Sequence, residues 1–249
     1  MEEKVSLHEQ NTHNNVIEFL INNRLNILIF VEILAAVTGV LLYGKYKGSA
    51  AKYFIYFLVY IVFMAIGGRY TYWVYNDGIF SFLEGTLLES NYWWYTLFWK
   101  IAAVVFFGWY YLQVLQNTTS KKILKVSIIL FLIISFGTIL VTLPDFFKGA
   151  IPIISILGAL IILQCVFYYF LEILQGDKIL TFYRSITFYI SCAILLFWLI
   201  KTPLVFFDPY YRMADMQYVN LRAGINFFVI YFMYITYTVG LIVAKPEYD

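Results

Sequence analysis

The chain has 249 residues, 62% of them apolar and 13% charged, against about 45–50% and about 25% in an ordinary soluble domain. That apolar excess has to face lipid, and a formal charge of +2 is too small to point to nucleic acid. Cys165 and Cys192 both fall inside apolar runs, so neither a disulfide framework nor a CxxC motif follows from them.

Residues 1–24 form a polar tail with Glu2, Glu3, Glu9 and Glu18. It has no small-residue cleavage site behind a short apolar core, so a secretory signal is not expected. The first span runs over 25–43, apolar except for Glu32 and Thr38, and is long enough at about 1.5 Å per residue to cross a hydrocarbon core of about 30 Å. A short basic turn follows, then a second span over 53–75, interrupted by Arg69 and closing on Tyr70, Tyr72, Trp73 and Tyr75. Residues 76–91 make a loop with an amphipathic centre, compatible with a surface segment or a short re-entrant helix. The third span, 92–115, opens on Tyr92, Trp93, Trp94 and Tyr95, the aromatic pattern of a headgroup boundary, and carries Lys100 two turns inside. Spans four to seven are predicted over 123–143, 151–174, 179–200 and 219–243, with a tight turn at 144–150 and a C-terminal tail over 246–249. The expected fold is an all-α polytopic membrane bundle of seven transmembrane helices, in one domain with no soluble catalytic domain.

Orientation follows from basic residues near span ends. The turns after spans one, three and five and the C-terminus carry nine of them, including Lys45, Lys121, Lys122, Lys125 and Arg184. The opposite face carries six, spread over longer segments and including Arg212. The N-terminus is therefore expected outside and the C-terminus in the cytoplasm. Asn117, in an Asn-Thr-Thr sequon, would then be cytoplasmic and unmodified.

Once depth is assigned, a polar layer emerges. Glu32, Arg69, Lys100 and Asn226 lie seven, six, eight and seven residues from the outer ends of their spans, roughly 9–12 Å deep. A charge at that depth costs a few kcal/mol facing lipid, so it turns inward, pairs, or lines a cavity. Glu32 and Arg69, on consecutive antiparallel spans, are the natural pair. Lys100 has no carboxylate on an adjacent span, so Glu84, Glu89, Asp208 or Asp215 from the outer loops, or an anionic ligand, are its candidate partners. Lys201 and Arg222 flank the long outer loop between spans six and seven and complete the expected mouth of a ligand-binding or polar cavity. A structural reading uses the same residues: long basic side chains snorkel to the interface, and one buried ion pair can set helix register. The cysteines are read as packing residues, the many Tyr and Phe as mostly lipid-facing or interfacial, and Ala35 with Gly39 and Ser155 with Ala159 as close-packing pairs.

Absent signatures narrow the function. His8 and His13 sit on the tail, so intramembrane zinc chemistry has no ligands. There is no GxSxG elbow, no phosphate-cradling glycine loop, and no lysine between Val219 and Ala244 for a retinal Schiff base. An enzyme is the least favoured class, and no cofactor is expected. The leading expectation is a signal-receiving or accessory membrane module acting through a separate cytoplasmic signalling protein or membrane subunit. A small-solute or ion transporter and a structural subunit of a membrane complex are the alternatives.

The stretches NYWWYTLFWK (91–100), PIISILGALIILQC (152–165), ILTFYRSITFYIS (179–191) and TPLVFFDPYYRMAD (202–215) resemble a group of small seven-helix membrane proteins of Bacteroidota. The resemblance covers most of spans two to seven and implies a bacterial inner-membrane protein. It brings no activity and no site residues.

Overall fold

The computed structural model describes residues 23–75, 78–207 and 216–246. Among the described residues it is all-helical, 86% helix, and the only strand-like pairing is an isolated bridge between Ser185 and Lys245. Seven helices among the described residues are long and apolar enough to cross a membrane. They are α1 (Asn23–Leu41), α2 (Ala51–Tyr75), α3 (Tyr92–Val114), α4 (Thr118–Val141), α5 (Pro152–Gln175), α6 (Ile186–Phe207) and α7 (Met216–Val243). The protein is an integral membrane protein built as a helical bundle.

In lipid there is no hydrophobic force between apolar helices, so close packing and interhelical hydrogen bonds hold the bundle. The centre is α5, half buried over its apolar window where α1 and α4 are 22% and 28% buried. It packs on α3, α4 and α6, and α6 packs in turn on α7. Gly158 makes the α3–α5 approach possible, because a Cβ there would sit 2.8 Å from Val104 Cγ2. Aromatic contacts close the ring: Phe57 of α2 stacks on Phe106 of α3 with centroids 4.0 Å apart, and Phe54 meets Tyr237 of α7 edge-on at 4.9 Å.

Several boundaries differ from expectation for local reasons. Helix α4 begins at Thr118, five residues before the predicted 123, because Asn117 is its N-cap: Oδ1 accepts from Thr119 N at 2.9 Å and Ser120 N at 3.0 Å. The asparagine of the sequon thus serves the orphan N–H groups of a helix start. Glu172 of α5 supports the same start, its carboxylate accepting from Gln116 N at 2.9 Å and Asn117 N at 2.8 Å. Because hydrogen bonds to a charged acceptor are worth about 1.5–3 kcal/mol and these are exposed, Glu172→Ala is expected to cost about 2 kcal/mol. Thermal unfolding in detergent measures it, and an unchanged midpoint would show that the carboxylate contributes nothing.

The predicted tight turn at 144–150 is largely a short helix, Leu143–Lys148, with Pro144 in its first turn, where the missing N–H is harmless. Helix α6 starts at Ile186 rather than 179. The apolar residues before it wind as two 3₁₀ turns, Asp177–Leu180 and Phe182–Arg184, and Ser185 Oγ accepts from Phe188 N at 3.4 Å. At its other end α6 continues past 200 to Phe207 with Pro203 inside it, so Lys201 lies on a helix and not in a loop. Residues 78–91 contain one 3₁₀ turn, Ser81–Leu83, and Gly85 with φ of 73°; no re-entrant helix forms there.

Some tyrosines are exceptions to the mostly lipid-facing or interfacial expectation. Tyr46, Tyr110, Tyr111 and Tyr237 are fully buried. At the end of the bundle where α3 and α5 finish, Tyr110 OH lies 3.0 Å from Thr187 Oγ1, Tyr111 OH 2.6 Å from Ser191 Oγ and Tyr169 OH 3.1 Å from Ser185 Oγ. These bonds tie α3 and α5 to α6 and satisfy hydroxyls that would be costly unpaired. At the same end the turn after α1 caps α7. Tyr46 OH donates to Leu241 O at 2.8 Å and Ala244 O at 3.1 Å, and Lys45 Nζ donates to Leu241 O and Ile242 O at 3.2 and 3.0 Å. The last carbonyls of a helix lack internal partners, and a cation there complements the helix dipole.

Burial pushes the Tyr46 phenol from 10.0 up to about 12. The unfolded chain therefore loses this proton first, and the native state holds more protons between those values. Stability is expected to fall as pH rises from about 10 toward 12, and Tyr46→Phe to flatten that part of the profile. A pH series of melting temperatures checks it, and identical alkaline profiles for the two proteins would refute it.

Candidate functional site

At the end where α2 and α6 finish and α1, α3, α5 and α7 begin, the bundle encloses a cavity of about 380 Å³. Helical spacing on two elements builds much of its wall. Leu25, Leu28, Ile29 and Glu32 of α1 line it at positions i, i+3, i+4 and i+7, and Arg222, Ile230 and Tyr234 of α7 line it from one stripe. The remaining charged lining residues are Arg69 of α2, Lys100 of α3 and Lys201 of α6. Four basic side chains and one carboxylate therefore face a common space, among aliphatic and aromatic neighbours that include Trp99 and Trp198.

Two of these cations stand where the backbone leaves α-helical winding. Arg69 lies in a 3₁₀ segment of α2, Gly68–Thr71. Gly67 and Gly68 allow the first turn of α3 to press in, since a Cβ on Gly67 would sit 2.7 Å from Trp94 Cζ2 and one on Gly68 2.8 Å from the Tyr95 hydroxyl. Side chains from that turn supply donors to α2: Trp94 Nε1 donates to Met64 O at 3.0 Å and Asn91 Nδ2 to Gly68 O at 2.7 Å. Tyr70 OH donates to Leu88 O at 2.6 Å and Ser90 O at 2.9 Å, fastening the 78–91 loop across the junction.

Lys100 lies in a π-helical segment, Thr96–Ile101. Ala102 N bonds to Leu97 O and Trp99 O, skipping the Phe98 carbonyl that α winding would have used. Tyr60 OH of α2 donates to that carbonyl at 2.6 Å, so a side chain on the next helix satisfies the group the wide turn releases. Short π segments inside α-helices occur frequently at functional sites. On α6, Pro203 cannot donate to the ladder, and one residue earlier Thr202 Oγ1 donates to Trp198 O at 2.6 Å. Lys201 Nζ donates to Asn226 Oδ1 of α7 at 2.7 Å, which fixes the ammonium at the cavity rim.

The expected set is thus largely assembled in one place. Glu32, Arg69, Lys100, Lys201 and Arg222 share the cavity, and Asn226 joins through Lys201. Arg69 is close enough to Glu32 for Coulombic interaction, and its Nη2 donates to Leu25 O at 3.4 Å. Glu84 and Glu89 are not among the lining residues; the Glu89 carboxylate accepts from Tyr75 OH at 2.8 Å and from Gly85 N at 3.0 Å. Asp208 and Asp215, with Arg212 and the tail before residue 23, lie outside the described residues.

Tyr95, Trp99, Trp198 and Tyr234 line the cavity and were not read as cavity residues from sequence, Tyr95 being assigned to the headgroup boundary. A search along α7 at four-residue spacing from Asn226 would have reached Tyr234. Cys165 is buried and Cys192 partly so, and neither lines the cavity.

Fold and site together define a seven-helix integral membrane protein with a charged cavity near one end. Comparison with protein-family models, curated proteins and solved structures finds no match.

Proposed function

We propose that the protein is a membrane receiver whose cavity binds a small ligand from outside the cell and passes its occupancy to a separate cytoplasmic partner. The observation that supports this most is the convergence of Glu32, Arg69, Lys100, Lys201 and Arg222 on one space of about 380 Å³, at the lower end of the roughly 300–1,000 Å³ range of ligand pockets. The other half of the bundle is filled by buried side chains such as Tyr110, Tyr111, Ile162 and Cys165, an arrangement suited to reception more than to an open pore. The basic turns at that end favour a cytoplasmic side in a bacterial inner membrane, and their shortness favours output through a partner.

A transporter is the second reading, favoured by the 3₁₀ segment at Arg69, the π segment at Lys100 and Pro203 in α6, since transporters use interrupted helices around a site.

Two measurements test the receiver reading. A reporter fused after Asp249 is expected to report cytoplasm, and one before Met1 the outside; the reverse pattern overturns the orientation. Ser155, which lines the cavity, is expected as Ser155→Cys to react with a small membrane-impermeant thiol reagent added outside. Lys122→Cys, at the other end, should react only from the cytoplasmic side. Uptake of a bound solute into proteoliposomes containing this protein alone would shift the assignment to transport.

A further inference from the structure

The geometry points to a single-chain anionic amphiphile as the cavity's ligand: a carboxylate or phosphate head carried on one hydrocarbon chain. This rests on the reading of the cavity as a binding site. The head is specified by charge. Among the described lining residues Arg69, Lys100, Lys201 and Arg222 are basic and Glu32 alone is acidic, a balance of side chains that favours an anionic head over a cationic one. Guanidinium and ammonium groups are the side chains that grip carboxylate and phosphate oxygens. Lys201 is already oriented by Asn226, which lowers the ordering cost of such a contact.

The chain is specified by the rest of the wall. Leu25, Leu28 and Ile29 of α1 and Leu204 and Val205 of α6 offer aliphatic surface, and Trp99 and Trp198 add aromatic faces. A small hydrophilic anion would leave that surface unused, whereas covering it with methylenes contributes about 0.8 kcal/mol for each CH₂ buried. The opening fits the same class. Leu25 lines the cavity and is still 63% exposed, on the least enclosed apolar span, so the mouth has a greasy lip beside the lipid headgroup layer. An amphiphile can enter there from the membrane or from water.

The experiment uses the full chain in nanodiscs of zwitterionic phosphatidylcholine, with binding followed by calorimetry and by melting temperature. The probes are dodecyl phosphate, dodecanoate, dodecyltrimethylammonium and inorganic phosphate. Dodecyl phosphate and dodecanoate are expected to bind and raise the melting temperature, while the cationic amphiphile and inorganic phosphate do not. Arg222→Gln and Lys201→Met are each expected to weaken dodecyl phosphate binding about tenfold, with Lys201→Arg retaining it and Lys122→Gln, at the opposite end, unchanged. Melting curves without ligand show that each variant is folded before its affinity is compared.

Inorganic phosphate binding as tightly as dodecyl phosphate would overturn the amphiphile while leaving the cavity as a soluble-anion site. Equal binding of dodecyltrimethylammonium would overturn the anionic head. Binding by none of the four probes would overturn the proposal outright, although outside labelling of Ser155→Cys would still support reception of another ligand. Failure of that labelling, by contrast, strikes the receiver reading itself.

Discussion

Glu32→Gln and Arg69→Gln are each expected to lower the stability of the folded protein by about 2 kcal/mol, and the double substitution to recover part of the combined loss. Both side chains are partly buried and line the same cavity. Their coupling should therefore fall between the ~0–1 kcal/mol of an exposed pair and the roughly 3–5 kcal/mol lost when a fully buried pair is broken. Removing either charge leaves the other at membrane depth with less compensation; removing both leaves two neutral amides. Unfolding midpoints of the four proteins in detergent form a double-mutant cycle. Strictly additive losses would mean that the two charges are compensated independently.

Gly68→Val is expected to be more damaging, at about 3 kcal/mol or loss of the folded protein. Its Cβ would sit 2.8 Å from the Tyr95 hydroxyl and 2.9 Å from the ring carbon that bears it, so the first turn of α3 must back away from α2. That motion would stretch the Asn91–Gly68 and Trp94–Met64 hydrogen bonds and displace Tyr95 from the cavity wall, adding unsatisfied carbonyls to the 1–3 kcal/mol typical of overpacking. Gly137 of α4 supplies the contrast, because a Cβ there meets nothing within 4 Å. Gly137→Ala should stabilise by roughly 0.5–1 kcal/mol through helix propensity alone. Equal effects at the two positions would show that close approach at Gly68 is not what fixes the α2–α3 junction.

The charged layer was legible because an apolar run fixes depth. With about 1.5 Å of rise per residue, the positions of Glu32, Arg69 and Lys100 along their spans already put them at one height, and the bundle brings them to one cavity. Lys201 was harder to place. Pro203 reads as a helix stop from sequence, yet packing on α7 carries α6 through it to Phe207. Gly67 and Gly68 mark the spot beside Arg69, but the winding changes at Arg69 and Lys100 were not readable from them, since the groups that satisfy the carbonyls there, Asn91, Trp94 and Tyr60, lie elsewhere in the chain. The burial of Tyr110 and Tyr111 was not legible because the same amphipathic ring suits a headgroup boundary or a paired hydroxyl in the core, and it is the neighbouring Thr187 and Ser191 that decide between them. The start of α4 was readable in principle: Asn117 ahead of a long apolar helix is an N-cap signal that its sequon obscured.

The π segment of α3 also has a meaning in the currency of chain length. A wide turn holds one residue more than an α turn, so Thr96–Ile101 accommodates an extra residue without disturbing either flank. Deleting one residue there would let the helix wind regularly with Trp93, Trp94 and Tyr95 still in phase with Tyr110 and Tyr111 and still facing Gly67 and Gly68, and the carbonyl that Tyr60 now serves would return to the helix ladder. The wide turn thus works as an expansion joint: a chain one residue shorter in this stretch could keep its aromatic contacts with α2 and would give up the bond from Tyr60.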